Sequence, residues 1–156
     1  MSENNTIEES NTEQRPEQSY NDACNKVENI LKAHFPEFMR FENGKFTILR
    51  GSTQVMISIH YLIQNETVII CTANVVRKAK INSETMHFLL RKNSQIQFGA
   101  FGLLFDGTIT FSHSITGSNL DSNELITTLN SVAYMADYYD DIIVQMAGGK
   151  RAKDFG

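Results

Sequence analysis

The alternation of apolar and polar residues is clearest around residues 96–116. From Ile109 to Ile115 every second side chain is apolar or histidine, and the intervening side chains are threonine or serine. This period of two is typical of a strand that buries one face. The preceding residues, 96–105, are apolar on both faces, and Asp106-Gly107 between the two segments favours a two-residue turn. The pattern therefore predicts a β-hairpin.

A long amphipathic helix is predicted after the hairpin. Asp121 and Glu124 have the spacing of a capping box, in which the two residues satisfy free backbone N–H groups at the start of a helix. Apolar residues then recur at helical spacing until Gly148-Gly149 ends the pattern. The apolar positions are Leu125, Leu129, Val132, Ala136, Tyr139 and Ile143.

A helix and four strands are predicted ahead of the hairpin, followed by a short helix. The first helix covers Tyr20 to Phe35, and Pro36 ends it because the residue before a proline avoids helical backbone angles. Residues 68–76 are almost continuously apolar, as expected of a strand in the centre of a sheet. The remaining predicted elements are strands at 38–41, 46–49 and 54–63 and a helix at 83–93.

These elements predict an α+β fold with an antiparallel sheet. The predicted order is α-β-β-β-β-α-β-β-α, with the helices from both ends of the chain on one face of the sheet. Residues 20–149 are expected to form a single domain. Residues 1–19 are predicted to be a disordered acidic tail because they are almost all polar, and residues 150–156 a flexible basic tail.

Charge and composition narrow the classes of partner. Five of the 18 acidic residues and one of the 14 basic residues fall in residues 1–19, which leaves 13 of each in the rest of the chain. A body without net charge lacks the electrostatic drive for sequence-independent binding to nucleic acid, so no nucleic-acid partner is expected. No apolar run is long enough for a membrane span, and the first residues lack the apolar core of a secretory signal. We therefore expect a cytoplasmic protein in which Cys24 and Cys71 are buried, reduced thiols.

No set of residues in the sequence predicts catalysis, a cofactor or a metal. The histidines and cysteines lack the spacing of zinc ligands. Gly99 and Gly102 do not form a phosphate-binding loop, because no glycine-rich run opens a helix there. Asp137 and Asp141 lie one helical turn apart beside Tyr138, and such a pair in a cleft could act in acid–base chemistry. More usually, such a pair simply lies on the solvent-exposed face of an amphipathic helix.

Surplus apolar surface is the main functional indication. Two long helices cover only one face of the predicted sheet, so the apolar residues expected on the other face are predicted to bind protein. A second copy of this chain is the foremost expected partner. The alternative is that the short helix at 83–93 covers this face of the sheet. The predicted binding residues are Met56, Leu62, Phe101, Leu103 and Phe105.

The segment from Leu89 to Ile142 resembles a known family. Its motifs are similar to those of the YbjN family, bacterial proteins assigned to the regulation of sensory transduction. The resemblance implies the fold of type III secretion chaperones and no transferable catalytic residues. It also implies binding of extended client segments at sheet edges and apolar grooves. The motifs are Leu89-Leu90-Arg91-Lys92-Asn93, Phe98-Gly99-Ala100-Phe101-Gly102 and Ala136-Asp137.

Two functions of different classes follow from these observations. The expected function is a non-catalytic protein-binding module, chaperone-like or regulatory, that acts as a homodimer and recruits a client or regulatory protein. The alternative is a small-molecule sensor or enzyme with a pocket between the sheet and the last helix, beside Asp137, Tyr138 and Asp141. A pocket with buried polar groups at that place would favour the alternative.

Overall fold

The computed structural model describes residues 14–155, and their side chains from residue 17 onwards. Within these residues three helices and seven strands follow one another, with short 3-10 segments at Ile63–Asn65 and Ala152–Phe155. The elements are α1 Gln14–His34, β1 Met39–Phe41, β2 Lys45–Arg50, β3 Thr53–Tyr61, β4 Thr67–Arg77, α2 Ser83–Gln95, β5 Ala100–Leu103, β6 Ile109–Thr116, α3 Ser122–Ala147 and β7 Lys150–Arg151.

The strands form one antiparallel sheet. Their order across the sheet is β1-β2-β3-β4-β6-β5, so that β1 and β5 are its two edges. The two-residue strand β7 pairs with the end of β4, where Val76 is opposite Arg151. The antiparallel sheet, the central position of β4 and the order of the first nine elements confirm the predicted α+β fold.

The core lies between one face of the sheet and the helices α1 and α3. Along β4 every second residue from Ile69 through Cys71 to Ala73 is fully buried, and the intervening residues are half-buried. α3 packs against β3, β4 and β6, while α1 packs against β3 and β4. Helices from both ends of the chain therefore share one face, as predicted.

The predicted cap of α3 is present, and the predicted hairpin has a different loop. The Asp121 carboxylate accepts a hydrogen bond of 2.7 Å from the Glu124 backbone N–H. In the hairpin, the Leu104 N–H donates to the Thr108 carbonyl, and of the three residues between them only Gly107 has positive φ. The two-residue turn is thus wrong, because a three-residue loop ending in a left-handed glycine joins these strands.

The ends of the described chain are more regular than the sequence indicates. α1 begins at Gln14, inside the range assigned to the acidic tail, while residues 1–13 lie outside the described residues. Residues 150–155, predicted to be flexible, form β7 and a 3-10 segment. Arg151 and Lys153 pair with carboxylates of α3, and these tertiary contacts order the segment.

Candidate protein-binding surface

The sheet face away from α1 and α3, here called the open face, carries exposed apolar side chains. Met56, a predicted binding residue on β3, points to this face and is 47% exposed. Met39 and Phe41 on β1 and Leu49 on β2 belong to the same face by register and are at least half exposed. These four side chains are 47–67% exposed, so they form a half-exposed apolar surface.

Phe101 was predicted to lie on the open face, and this placement is wrong. Phe101 pairs across the hairpin with Phe111, whose side chain points to the helices. Its ring packs edge-on against Phe111 and against Tyr139 of α3, and only 7% of the residue is exposed. Register with β6 therefore makes Phe101 a core residue of the sheet edge.

The other predicted residues lie in separate places. Leu62 follows β3 at the far end of the open face and is half exposed. Leu103 is on the helix side of β5 at the sheet edge and is half exposed, while Phe105 is fully exposed in the hairpin loop. The structure thus groups Met56 with residues that sequence reasoning missed and leaves Leu103 and Phe105 at the opposite edge.

The outer edge of β1 offers backbone groups that no described strand uses. The Ile59 N–H donates to the Gly44 carbonyl, so Gly44 and every second residue after it on β2 bond to β3. The residues between them, including Lys45 and Thr47, bond to β1, and this parity extends to β1 through the register. By this parity Met39 and Phe41 bond to β2, and the N–H and C=O groups of Arg40 point outwards. Since β1 is the last strand of the sheet order, this position is open for pairing.

The outer edge of β5 is closed at the equivalent residue. The Asn93 side chain at the end of α2 accepts a hydrogen bond of 2.7 Å from the Phe101 N–H. It also donates one of 3.1 Å to the Phe101 carbonyl. One amide side chain thus satisfies both outward backbone groups of Phe101, as a neighbouring strand would.

A second set of exposed apolar residues lies beside the β5 edge, and we call it the α2–β5 side. Met86 and Leu90 are one helical turn apart on the outer face of α2, which packs against β5. Leu103 and Phe105 continue the set at the end of β5. The exposed apolar residues of the open face lie on β1, β2 and β3, and the strands β4 and β6 separate these from β5.

The acidic cluster of α3 is engaged in ion pairs. Lys153 Nζ donates to Asp137 and lies 3.2 Å from Asp140 Oδ2, while Arg151 lies 3.4 Å from Asp141. No group of three or more potential metal-ligating side chains occurs among the described residues. The cluster therefore fastens the C-terminal segment to α3.

The two cysteines are buried and unpaired with each other. Burial raises the pKa of the Cys71 thiol to about 12, so the reactive thiolate is disfavoured at neutral pH. None of the helices in the described part of the chain is long and apolar enough to cross a membrane.

Three solved structures share this fold. The ExsC–ExsE complex matches with a TM-score of 0.62 and 16% identity, covering 77% of this chain and 95% of that one. The HopA1–SchA chaperone–effector complex matches with a TM-score of 0.64 and 9% identity, covering 80% and 97%. The Yersinia pestis type III secretion chaperone SycH, in complex with a stable fragment of YscM2, matches with a TM-score of 0.56 and 14% identity, covering 74% and 98%.

The family comparison covers nearly the whole fold. A search of curated proteins finds no match. The model of the TY-Chap1 family, described as T3SS (YopN, CesT) and YbjN peptide-binding chaperone 1, matches residues 22–154. This range runs from α1 to the C-terminal 3-10 segment and confirms the resemblance seen in the sequence. The chain therefore belongs to the TY-Chap1 family of peptide-binding chaperones.

Proposed function

We propose that this protein is a cytoplasmic, non-catalytic chaperone or regulator that holds an extended segment of a partner protein. The segment adds to the sheet at the outer edge of β1, and its side chains lie against the open face. The observation that carries this proposal is the unpaired outward backbone of Arg40 between the half-exposed side chains of Met39 and Phe41. In strand addition, main-chain hydrogen bonds give affinity and alternate side chains give specificity.

Structures of similar fold support a protein segment as the client. The HopA1–SchA structure is a chaperone–effector complex, and SycH was solved with a fragment of YscM2. A polypeptide client also suits the chemistry of the open face. Methionine side chains such as Met39 and Met56 are flexible and adapt to apolar partners of different shape.

We further propose that two copies of the chain associate through the α2–β5 side. Met86 and Leu90 lie on the outer face of α2, which packs against β5, and Leu103 and Phe105 are exposed at the β5 edge of the sheet. A dimer formed there leaves both β1 edges free for clients, because the two sites are on opposite edges of the sheet. Light scattering is expected to give twice the mass of the chain, and Leu90→Asp to halve it.

Substitution of Arg40 tests strand addition directly. Peptides would first be selected on the wild-type protein from a phage-displayed library of random sequences. Arg40→Pro removes the outward N–H group and places a ring against an incoming strand, so the selected peptides should bind about tenfold or more weakly. Proline is tolerated on an edge strand when its missing N–H group is the outward one.

Arg40→Ala is the matched control. It keeps the outward N–H group but removes the ion pair of 2.6 Å between Arg40 and Glu28, which the proline variant also loses. The alanine variant should bind the selected peptides as the wild type does. Equal binding by the proline and alanine variants would show that the edge of β1 is not where peptides attach.

A further inference from the structure

A stripe of partly buried apolar residues runs along the flank of α3 that faces β5 and α2. Its members recur at helical spacing over about three turns, so they lie one above another on this flank. The ring of Tyr139 packs edge-on against Phe101 of β5, which fixes the direction in which the stripe points. The residue Ile142 is 37% exposed. The stripe consists of Met135, Tyr139, Ile142 and Met146.

The helix α2 forms the other wall of a groove along this stripe. It packs against β5 and runs antiparallel to α3. Ser83, at the start of α2, lines one depression with Met146, and Gln95, at its end, lines the next with Met135. The two depressions have volumes of about 620 and 580 Å³ and adjoin at Gln95. They therefore form one groove, which spans about 16 Å along α3 between the two methionines.

Aromatic rings give the groove firm walls. Phe88 of α2 lines the first depression, and Phe98 and Tyr134 line the second. The Phe98 ring stacks on His113 of β6 with 3.8 Å between the ring centroids, which holds it in place. Because the groove exists before any partner arrives, little ordering of its walls opposes binding.

The helical walls decide which backbone conformation a partner can bring. Backbone N–H and C=O groups of a helix bond within the helix, except in its terminal turns. A strand in this groove would find few backbone partners, whereas a helix satisfies its own backbone groups. Helix-in-groove recognition places apolar side chains at positions i, i+3 or i+4 and i+7 of the bound helix against the groove. Met135 and Met146 suit such contacts because methionine adapts to the shape of an apolar partner.

The charges on the α2 wall favour a partner with acidic residues. Arg91 and Lys92 line the first depression, and neither forms an ion pair with a carboxylate among the described residues. The Lys92 Nζ atom lies 5.6 Å from the centroid of the Phe88 ring, above the aromatic wall. Of the described residues that line this depression, Glu84 alone carries a carboxylate, and it lies near the other end of α2. The end of the wall near Arg91 is therefore positive.

We propose that the groove between α2 and α3 binds an amphipathic α-helix of a partner protein. The apolar face of this helix lies on the α3 stripe, and its acidic flank lies beside Arg91 and Lys92. The carboxylates of Asp137 and Asp141 do not compete for these cations, because they pair with residues of the C-terminal segment on the opposite flank of α3. The site is distinct from the strand-binding edge, since β1 and β5 are opposite edges of the sheet.

Fluorescence anisotropy with a labelled, designed helical peptide tests the proposal. The probe is an alanine-based peptide of about 16 residues, long enough to span the groove, with leucines three and four positions apart and glutamates on one flank. We expect saturable binding. The same peptide with lysines in place of glutamates, or with a central proline, should bind about tenfold or more weakly, because the first is repelled by the α2 wall and the second cannot form the helix. Equal binding of either altered peptide, or no saturable binding of the probe, would overturn the proposal.

Two pairs of variants locate the site. Arg91→Glu and Ile142→Asp should each weaken binding of the acidic peptide about tenfold or more, since one reverses a charge on the wall and the other places a charge on the stripe. Arg50→Glu and Ile63→Asp are the matched controls, because both residues are exposed and lie outside the groove, and they should leave binding unchanged. A control that weakens binding as much as its counterpart would attribute the effect to net charge and contradict the proposed site.

Methyl signals of the methionines in the wild-type protein give a reading that does not depend on the folding of variants. Met135 and Met146 lie in the groove, whereas Met39 and Met56 lie on the open face. The bound peptide should shift the signals of Met135 and Met146 and leave those of Met39 and Met56 in place. Shifts of Met39 and Met56, or unchanged signals of the two groove methionines, would overturn the proposal. Neither result bears on strand addition at β1, which the Arg40 variants test separately.

Discussion

The two edges of the sheet differ at one residue each. On β5 the outward backbone groups of Phe101 are both bonded by the Asn93 side chain, and the Phe101 ring is packed against α3. On β1 the outward groups of Arg40 have no partner strand among the described residues, and its side chain pairs with Glu28 and lies over the Phe46 ring. Natural sheets generally protect their edges against pairing with other chains. An edge left open beside exposed apolar residues is therefore a place for a partner.

The largest expected effect on stability comes from Phe101, the buried aromatic residue of the β5 edge. Phe101→Ala should lower the free energy of unfolding by about 3–5 kcal/mol, because it empties a buried site between Phe111 and Tyr139. Ile63→Ala, at an exposed position outside the proposed interfaces, should change it by no more than about 0.5 kcal/mol. Urea unfolding of both variants measures the difference, and equal effects would contradict the inward placement of Phe101.

Removal of the outer clamp comes next. Asn93→Ala leaves the N–H and C=O groups of Phe101 without their partner and should cost about 1–3 kcal/mol. The β5 edge should then resemble the β1 edge and pair with other chains, which light scattering would detect as larger species. Ser94→Ala, at the neighbouring exposed position, is the control and should change stability by at most about 0.5 kcal/mol. A variant at Asn93 as stable as this control would show that the clamp contributes little.

The smallest expected effect is the pH dependence of the stability contributed by Glu66. It distinguishes the neutral hydrogen bonds of Asn93 from the hydrogen bonds of an ionised carboxylate. The hydroxyl group of Ser118, donating at 2.6 Å, and backbone N–H groups lower the pKa of Glu66. A lowered folded-state pKa stabilises the protein above the ordinary carboxyl range, and this contribution is lost as the pH falls through the lowered value.

Glu66→Gln should therefore be less stable than the wild type at neutral pH, and the difference should close in acid. The loss caused by Asn93→Ala should be the same at both pH values, since neither the amide nor the backbone titrates there. Thermal unfolding at neutral and acidic pH measures both. A Glu66→Gln deficit that persists unchanged in acid would contradict the assigned hydrogen bonds.

The sequence predicts elements whose own period decides their placement. β6 and α3 bury most of the residues that alternation or helical spacing indicates, although His113 and Tyr139 are only partly buried, and Asp121 caps α3 as its spacing with Glu124 predicts. Residues 96–105 are apolar at both parities, so the face that Phe101 uses depends on its pairing with Phe111. The alternation of residues within this segment does not determine that pairing.

The candidate site was predicted only in part, for the same reason. Met56 lies on a long alternating strand and was identified, whereas β1 has three residues and too little length for a period. The clamp by Asn93 and the ordering of residues 150–155 both depend on contacts that exist only once the protein has folded. From residue types alone, Asn93 was interpreted as the end of a helix and residues 150–155 as a flexible basic tail.

Amide hydrogen exchange at Arg40, read by NMR with and without a selected peptide, tests the central claim most directly. The account predicts fast exchange at Arg40 in the free protein and slow exchange in the complex, while the Phe101 amide, held by Asn93, is slow in both. An Arg40 amide that exchanges equally fast when the peptide is bound, or slowly before it is added, would contradict an open edge that receives a client strand.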